Sequence, residues 1–171
     1  MELVDVYNRF RENMGVVRGR KELKSGEYRI STHIWVVNSK KQILIEKRSE
    51  EEDMFPGMWA QIGGGVKAGD TSKDTVFNEC IEELRLTVKK EHLFYIGSYT
   101  RIRDIVDVWL VNQDVNIHDL KLQEAEVAEV KLVTFEEFDK MIEENQVVPS
   151  INPSYDLMEN YCKLYMNCSI K

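Results

Sequence analysis

Apolar residues follow two different rhythms along this chain. Between Tyr28 and Arg48 two nearly continuous apolar runs flank the polar stretch Asn38 to Lys41, the pattern of two strands joined by a turn. Shorter runs at His92 to Tyr99, Ile105 to Val111 and Ala128 to Val133 read as further strands. A helical period governs the segment after Thr75. At an advance of about 100° per residue, Val76, Phe77, Cys80, Ile81 and Leu84 share an arc of about 140°, while Glu79, Glu82 and Glu83 fill a separate arc of about 100°. The expectation is a short helix with one buried face and one acidic face. Thr134 with Glu137 three residues on forms a capping box, which predicts a helix of roughly three turns from Phe135 to Asn145. Pro149 and Pro153 mark a break, after which Leu157, Met158, Tyr161, Leu164 and Tyr165 recur at the spacing of a packing helix over about 154–168. Strands, a central helix, more strands and terminal helices, with no internal repeat, predict an α/β sandwich with a mixed sheet.

Length and composition narrow the function classes. A chain of 171 residues that is 43% hydrophobic is expected to be one domain with a proper core, preceded by an N-terminal extension over about 1–27. A net charge of −7 argues against nucleic-acid backbone binding as the main activity. Three cysteines without close pairing carry neither a disulfide framework nor zinc spacing and suggest a reducing compartment. Met1 to Tyr7 carries acids where a signal peptide needs bases, and no apolar run approaches membrane-spanning length. A cytoplasmic protein with no membrane association is the expectation.

The acidic helix face matters because of what precedes it. Like charges at these spacings repel by about a few tenths of a kcal/mol per pair, so the arrangement gains from a cation above it. Carboxylate oxygens suit Mg²⁺, with Mn²⁺ as a substitute. A lone E-x-x-E-E on an outward face is ordinary solvated surface. Here Gly63, Gly64 and Gly65 stand just upstream, a loop that allows close backbone approach.

From Gly64 to Leu86 the chain resembles the signature of the Nudix hydrolases, G-x5-E-x7-R-E-U-x-E-E-x-G-U, where U is aliphatic. Gly64 opens the match, Asp70 stands at the first acid, Asn78 at the arginine, Glu79-Cys80-Ile81-Glu82-Glu83 follow, then Arg85 at the glycine and Leu86 at the last aliphatic. Asp70, Asn78, Cys80 and Arg85 depart from the pattern. Asn78 offers neutral hydrogen bonds where the family's arginine pairs charges, and Arg85 removes the flexible helix exit that glycine supplies. The likeness extends over about Glu2 to Phe138, including the hairpin before the signature. It implies a Nudix-type α/β/α sandwich carrying the loop and helix of the signature.

The resemblance also implies a chemistry, attack of water on one phosphorus of a diphosphate with metal ions neutralising oxygen charge. Glu79 and Glu83, one turn apart, are the first choice of metal ligands. Glu82 is a second ligand or orients the attacking water, and the Gly64 carbonyl matches a position that often completes the shell. Asp70 orients the loop or caps the helix rather than binding metal. The general base stays open between Glu79 and a downstream acid, with Asp107, Glu124, Glu126 and Glu129 as candidates. Arg48 is the choice for gripping phosphate, weighed evenly against a plain surface arginine. Trp35 and Trp59 read as core more than as base-stacking platforms. Arg18, Arg20, Lys21 and Lys24 read as a solvated arm or a dimer contact, so a homodimer stays open.

Met54 to Gly65 is similar to the segment leading into the signature in the subgroup related to isopentenyl diphosphate isomerases. Those isomerases need a cysteine five residues after the tryptophan and a histidine close behind. Trp59 plus five is Gly64, Val66 stands at the histidine position, and His33 has no second histidine beside it. The chain therefore reads as an isomerase-related hydrolase acting on a small-molecule diphosphate, a nucleoside diphosphate derivative. A binding or regulatory protein whose altered signature has lost turnover is the alternative, and an isomerase comes last.

Overall fold

The computed structural model describes residues 2–166. Its first strands lie inside the expected extension: β1 (Leu3–Tyr7) and β2 (Asn13–Gly19) form an antiparallel two-stranded sheet. The signal for β1 is brief, Val4 and Val6 alternating with Asp5, and both valines are fully buried beside Leu23. Reciprocal 2.8 Å backbone bonds between Tyr7 and Tyr28 tie this hairpin to the rest of the chain.

The two apolar runs flanking Asn38 to Lys41 form β3 (Arg29–Val37) and β4 (Gln42–Arg48). Asn38 Oδ1 accepts from the backbone N–H groups of Lys40 and Gln42, and Lys41 takes a positive φ of 61°, so the polar stretch makes the turn. Downstream come β5 (Trp59–Ala60), β6 (Ile62–Gly65), helix α1 (Ser72–Leu84), β7 (Leu93–Thr100), β8 (Asp104–Asn112), β9 (Val127–Thr134), α2 (Phe135–Glu143) and α3 (Asn152–Tyr165). Thr134 caps α2 with Glu137 as its pattern predicts. Pro153 does not break the chain. It sits in the first turn of α3, where its missing N–H has no partner to lose, and the interruption is the single 3-10 turn Pro149–Ile151. Cys168, in the expected end of that helix, lies outside the described residues.

Strands β3 to β9 make one mixed seven-stranded sheet in which β3 and β8 run parallel. β3 is buried at all nine positions because helices cover both faces of the sheet. On one face Trp35 packs with Phe138, Tyr155 and Met158 from α2 and α3, and its indole N–H donates to Ser154 at 2.7 Å. On the other, Ile34, Val36, Leu44 and Ile62 meet Val76, Cys80 and Leu84 of α1. Each such buried aliphatic side chain stabilises the fold by about 1.5–3 kcal/mol. The α/β sandwich expected from the order of elements is the architecture observed. Among the described residues no helix is long and apolar enough to cross a membrane.

One departure from a regular sheet prepares the site. β3 and β4 pair only near their turn, through Val36 with Leu44 and Val37 with Ile43. Beyond that they diverge: β6 takes the vacated edge of β3 and β5 takes the edge of β4. The chain crosses the split at Gln61, leaving Gly64 on one side and Glu46 on the other.

Candidate active site

The loop between β6 and α1 is fixed from the N-terminal hairpin. Ala68 N–H donates to Leu3 O and Gly69 N–H to the Asp5 carboxylate, both at 2.9 Å. Helix α1 then starts on Thr71, whose hydroxyl accepts from Asp74 N–H at 3.1 Å while the Asp74 carboxylate accepts from Thr71 N–H. Such a cap stabilises a helix by about 1 kcal/mol. The capping expected of Asp70 therefore belongs to Thr71 and Asp74, and the carboxylate that grips the loop is that of Asp5.

At its other end α1 stops on Arg85, which takes the left-handed conformation with φ 55° and donates its N–H to the carbonyls of Cys80 and Ile81. Arginine here adopts the geometry that glycine would supply, so the departure from the Nudix signature leaves the helix exit unchanged. Beyond the helix, Gln123 N–H donates to Glu83 O at 2.8 Å and Lys121 N–H to Leu84 O at 3.0 Å. The segment after β8 is thereby laid along the last turn of α1.

That covering changes which residues are inside. Val76, Cys80 and Leu84 are buried as expected, but Ile81 is 42% exposed and Glu83 only 4% exposed. The acidic arc is split. Glu82 faces outward to Lys67 at 3.8 Å, while Glu79 and Glu83 turn toward the split in the sheet. The Glu79 carboxylate occupies the space that a Cβ on Gly64 would need, so glycine is required there by close approach. Gly64 O accepts from the Thr32 hydroxyl at 3.3 Å.

A fourth acid, Glu46 of β4, completes the group. It is 5% exposed and faces Glu83 within hydrogen-bonding reach, and each of the two carboxylates keeps one buried oxygen without a partner. Burial pushes Glu46 up to about 8 and Glu79 up to about 7. Glu83 is raised as well, by burial first and then by the charges of Glu46 and Glu79. Glu126, half-buried at the open side and held by Gln123, is raised by burial and by Glu52 and Glu82. Glu46 escaped the sequence reading because its alternation in an apolar strand marks only that it is inward, and its neighbour Arg48 drew the functional assignment.

Arg48 donates to Glu52 at 2.7 Å and to Met54 O at 2.8 Å, and its charge still acts on Glu46 and Glu126. Asp107 is taken by Arg11, which holds both carboxylate oxygens at 2.5 and 2.6 Å. Glu124 and Glu129 are exposed, and so is Asn78. Trp35 and Trp59 are core residues, with Lys131 over the Trp59 ring at 4.1 Å. The basic run is no free arm: Arg18 pairs with Glu27, Arg20 with Glu2 and Lys21 with Asp53. Cys80 and Cys162 are fully buried, and burial raises the Cys80 thiol, the reverse of what a reactive thiolate needs. Val66 is buried beside Ile30 and Ile105.

A cavity of about 620 Å³ lies beside the last turn of α1, lined by Glu82, Arg85, Lys121, Leu122 and Gln123. Among the described residues no three acid, cysteine or histidine side chains close around a single ion position. The arrangement is nonetheless one in which buried carboxylate oxygens lack partners among the described residues, a setting that favours a bound cation or a shared proton.

Comparison with known proteins decides the family. The profile of the NUDIX domain matches residues 27–152. The chain belongs to the Nudix family. An uncharacterised Nudix hydrolase of Listeria innocua is 32% identical over 152 residues, which cover 87% of this chain and 89% of the relative. An isopentenyl-diphosphate Delta-isomerase of Shigella flexneri is 28% identical over 71 residues, covering 41% of this chain and 39% of the isomerase. Among solved structures, a Deinococcus radiodurans protein superposes with a TM-score of 0.76 at 18% identity, over 94% of this chain and 99% of its own. That likeness shows the Nudix fold, and the short isomerase match gives the subgroup only slight support.

Proposed function

We propose that the protein is a Mg²⁺-dependent Nudix pyrophosphohydrolase that cleaves the diphosphate linkage of a nucleoside diphosphate derivative. The observation that carries the reading is the packing of Glu79, Glu83 and Glu46 at the Gly64 turn, with buried carboxylate oxygens left unpartnered. An apolar or hydrogen-bonded replacement would be more stable in a purely structural role. The donor set fits a hard divalent cation, all oxygen, with Glu79, Glu83 and the Gly64 carbonyl as ligands and Glu46 behind Glu83. When bound, such an ion supplies charge neutralisation at the diphosphate oxygens and acidifies water.

The remaining roles fall to this chain's own groups. Glu126 stands at the open side, its carboxylate raised by burial and by Glu52 and Glu82, and receives the proton of the attacking water. Glu82 sits outside this group and contributes charge at the rim. Arg85 and Lys121 line the cavity beside α1 and provide positive charge for the substrate's phosphates. Arg48 joins them only if its bonds to Glu52 and Met54 exchange for phosphate. Among the described residues, the buried thiols of Cys80 and Cys162, together with Val66, leave no acid–base pair for an isomerase. Three cysteines without close pairing support a reducing, cytoplasmic setting, with a small molecule as partner.

The unaltered helix exit at Arg85 weighs against a protein that has lost turnover, since the position departs in residue type but not in backbone geometry. Incubation with a panel of nucleoside diphosphate derivatives and Mg²⁺, with release of phosphate-monoester products followed, tests the reading. Turnover that EDTA abolishes is expected. No turnover on any member of the panel, together with ligand-induced thermal stabilisation, overturns it in favour of a binder.

A further inference from the structure

Between β6 and α1 the chain leaves the sheet. β6 pairs with β3 as far as Gly65, and Val66 N–H still donates to Ile30 O at 3.0 Å. Helix α1 is held again from its first turn, where the Trp109 indole N–H donates to the Ser72 hydroxyl at 2.8 Å. Lys67, Ala68, Gly69 and Asp70 bridge the gap. Among the described residues their hydrogen bonds and ion pairs to other elements are three: Ala68 N–H to Leu3 O, Gly69 N–H to the Asp5 carboxylate, and a 3.8 Å pair of Lys67 with Glu82. The last is an exposed pair and contributes little. Asp70 and Asn78, at the first acid and the arginine of the signature, add nothing, since neither side chain has a hydrogen bond or an ion pair among the described residues. The loop is therefore tied from the N-terminal hairpin, and the one charged tie is that of Asp5.

That tie falls where it has most to fix. Gly69 takes a φ of 87°, so it is the most permissive residue of the loop, and a carboxylate acceptor makes the stronger kind of hydrogen bond. Asp5 itself is firmly presented. It stands between Val4 and Val6, which are fully buried with Leu23 in a small core of the hairpin, and Tyr7 bonds reciprocally to Tyr28 two residues on. What depends on the loop is the placement of α1. The helix meets the sheet through the apolar side chains of Val76, Cys80 and Leu84, and apolar contact is non-directional, so polar ties at its ends set how far along the sheet it lies. Glu79 leaves no slack, because its carboxylate already fills the place of a Cβ on Gly64. At a reacting centre a displacement of about 1 Å costs about 100-fold in rate.

We propose that Asp5 is a positioning residue for the metal-binding group: by holding the Gly69 N–H it fixes the entry of α1 and, through it, the approach of Glu79 to Gly64. The inference rests on the hydrolase reading and extends that site's machinery to a strand outside the signature.

Calorimetric titration of the whole protein with Mn²⁺ alone tests it. Asp5→Ala should weaken Mn²⁺ binding about tenfold, whereas Asp5→Asn, whose amide oxygen still accepts from Gly69 N–H, should weaken it less than about threefold. The asparagine separates positioning from simple attraction, since both variants remove the same charge. Metal-free thermal unfolding accompanies each titration, because a residue that only supports the fold lowers Tm and leaves the affinity of the folded molecule unchanged. Equal affinity in Asp5→Ala and wild type overturns the inference and leaves the hydrolase reading standing. A loss that Asp5→Asn shares in full also overturns it, in favour of long-range charge. A wild type that takes up no Mn²⁺ overturns the metal-dependent reading and the inference with it.

Discussion

Two carboxylate sites in this protein are equally buried and oppositely equipped. Asp107, 1% exposed, is gripped by both arms of the Arg11 guanidinium, which reaches it from the turn of the N-terminal hairpin. Glu83 and Glu46, at 4% and 5%, face each other with no cationic side chain between them among the described residues and an unpartnered oxygen each. The first site is complete as folded. The second has its desolvation cost unrelieved, and a chain that can build the first has the means to build a counter-ion into the second. Its absence there is the physical argument that the missing charge arrives from solution.

The comparison breaks first if Asp107 proves functional. Arg11→Met removes the guanidinium and strands a buried carboxylate, so it should destabilise the protein by about 3 kcal/mol, read from urea or thermal unfolding. Activity per folded molecule should stay within about twofold, as befits a pair that acts only on folding. A variant that keeps its stability but loses turnover would move the downstream acid from Glu126 back to Asp107.

Glu83→Gln probes the other side. The amide keeps the shape, removes the charge and offers a donor to Glu46, so the metal-free fold should be retained or strengthened. Turnover should fall about 100-fold or more, the scale of losing one group that stabilises developing charge. Unchanged turnover would end the assignment of Glu83 as a metal ligand.

A pH series sharpens the same contrast. Glu46 is raised from 4.5 to about 8, so its folded form holds a proton that the unfolded chain releases. The sign follows: its contribution to stability is whole below about 4.5 and is lost as pH rises toward 8. Metal-free wild type should therefore lose Tm relative to Glu46→Gln across that window, by roughly 2–4 °C for each kcal/mol. Mg²⁺ should close the gap. A gap that stays constant with pH would mean that Glu46 is ionised and compensated after all.

Much of this was legible from residue order. Apolar runs announced β3, β4, β7, β8 and β9, and helical spacing announced both terminal helices, although β7 carries no fully buried residue. The N-terminal hairpin was not legible, since five-residue β1 shows a single alternation and its partner β2 is mostly exposed. For the site, the resemblance to the signature placed Glu79 beside Gly64. It did not reveal that the segment after β8 covers Glu83, that β3 and β4 part to admit Glu46, or that Arg48 and Asp107 are occupied by Glu52 and Arg11. Those are long-range contacts, and a helix wheel treats every acid on its face as equal.

Glu82 shows how little the wheel alone decides. It is one residue from Glu83, yet its side chain is 51% exposed and pairs with Lys67 only across 3.8 Å. A surface pair of this kind is worth about 0–1 kcal/mol, so Glu82→Gln should leave Tm nearly unchanged. Its charge is screened by water, and the variant's loss of turnover should be less than about tenfold, well below that of Glu83→Gln. Steady-state assays of the two variants at saturating Mg²⁺ give the ratio directly. Equal losses would mean that Glu82 swings inward in the working enzyme and that exposure is the wrong criterion for choosing between neighbouring acids.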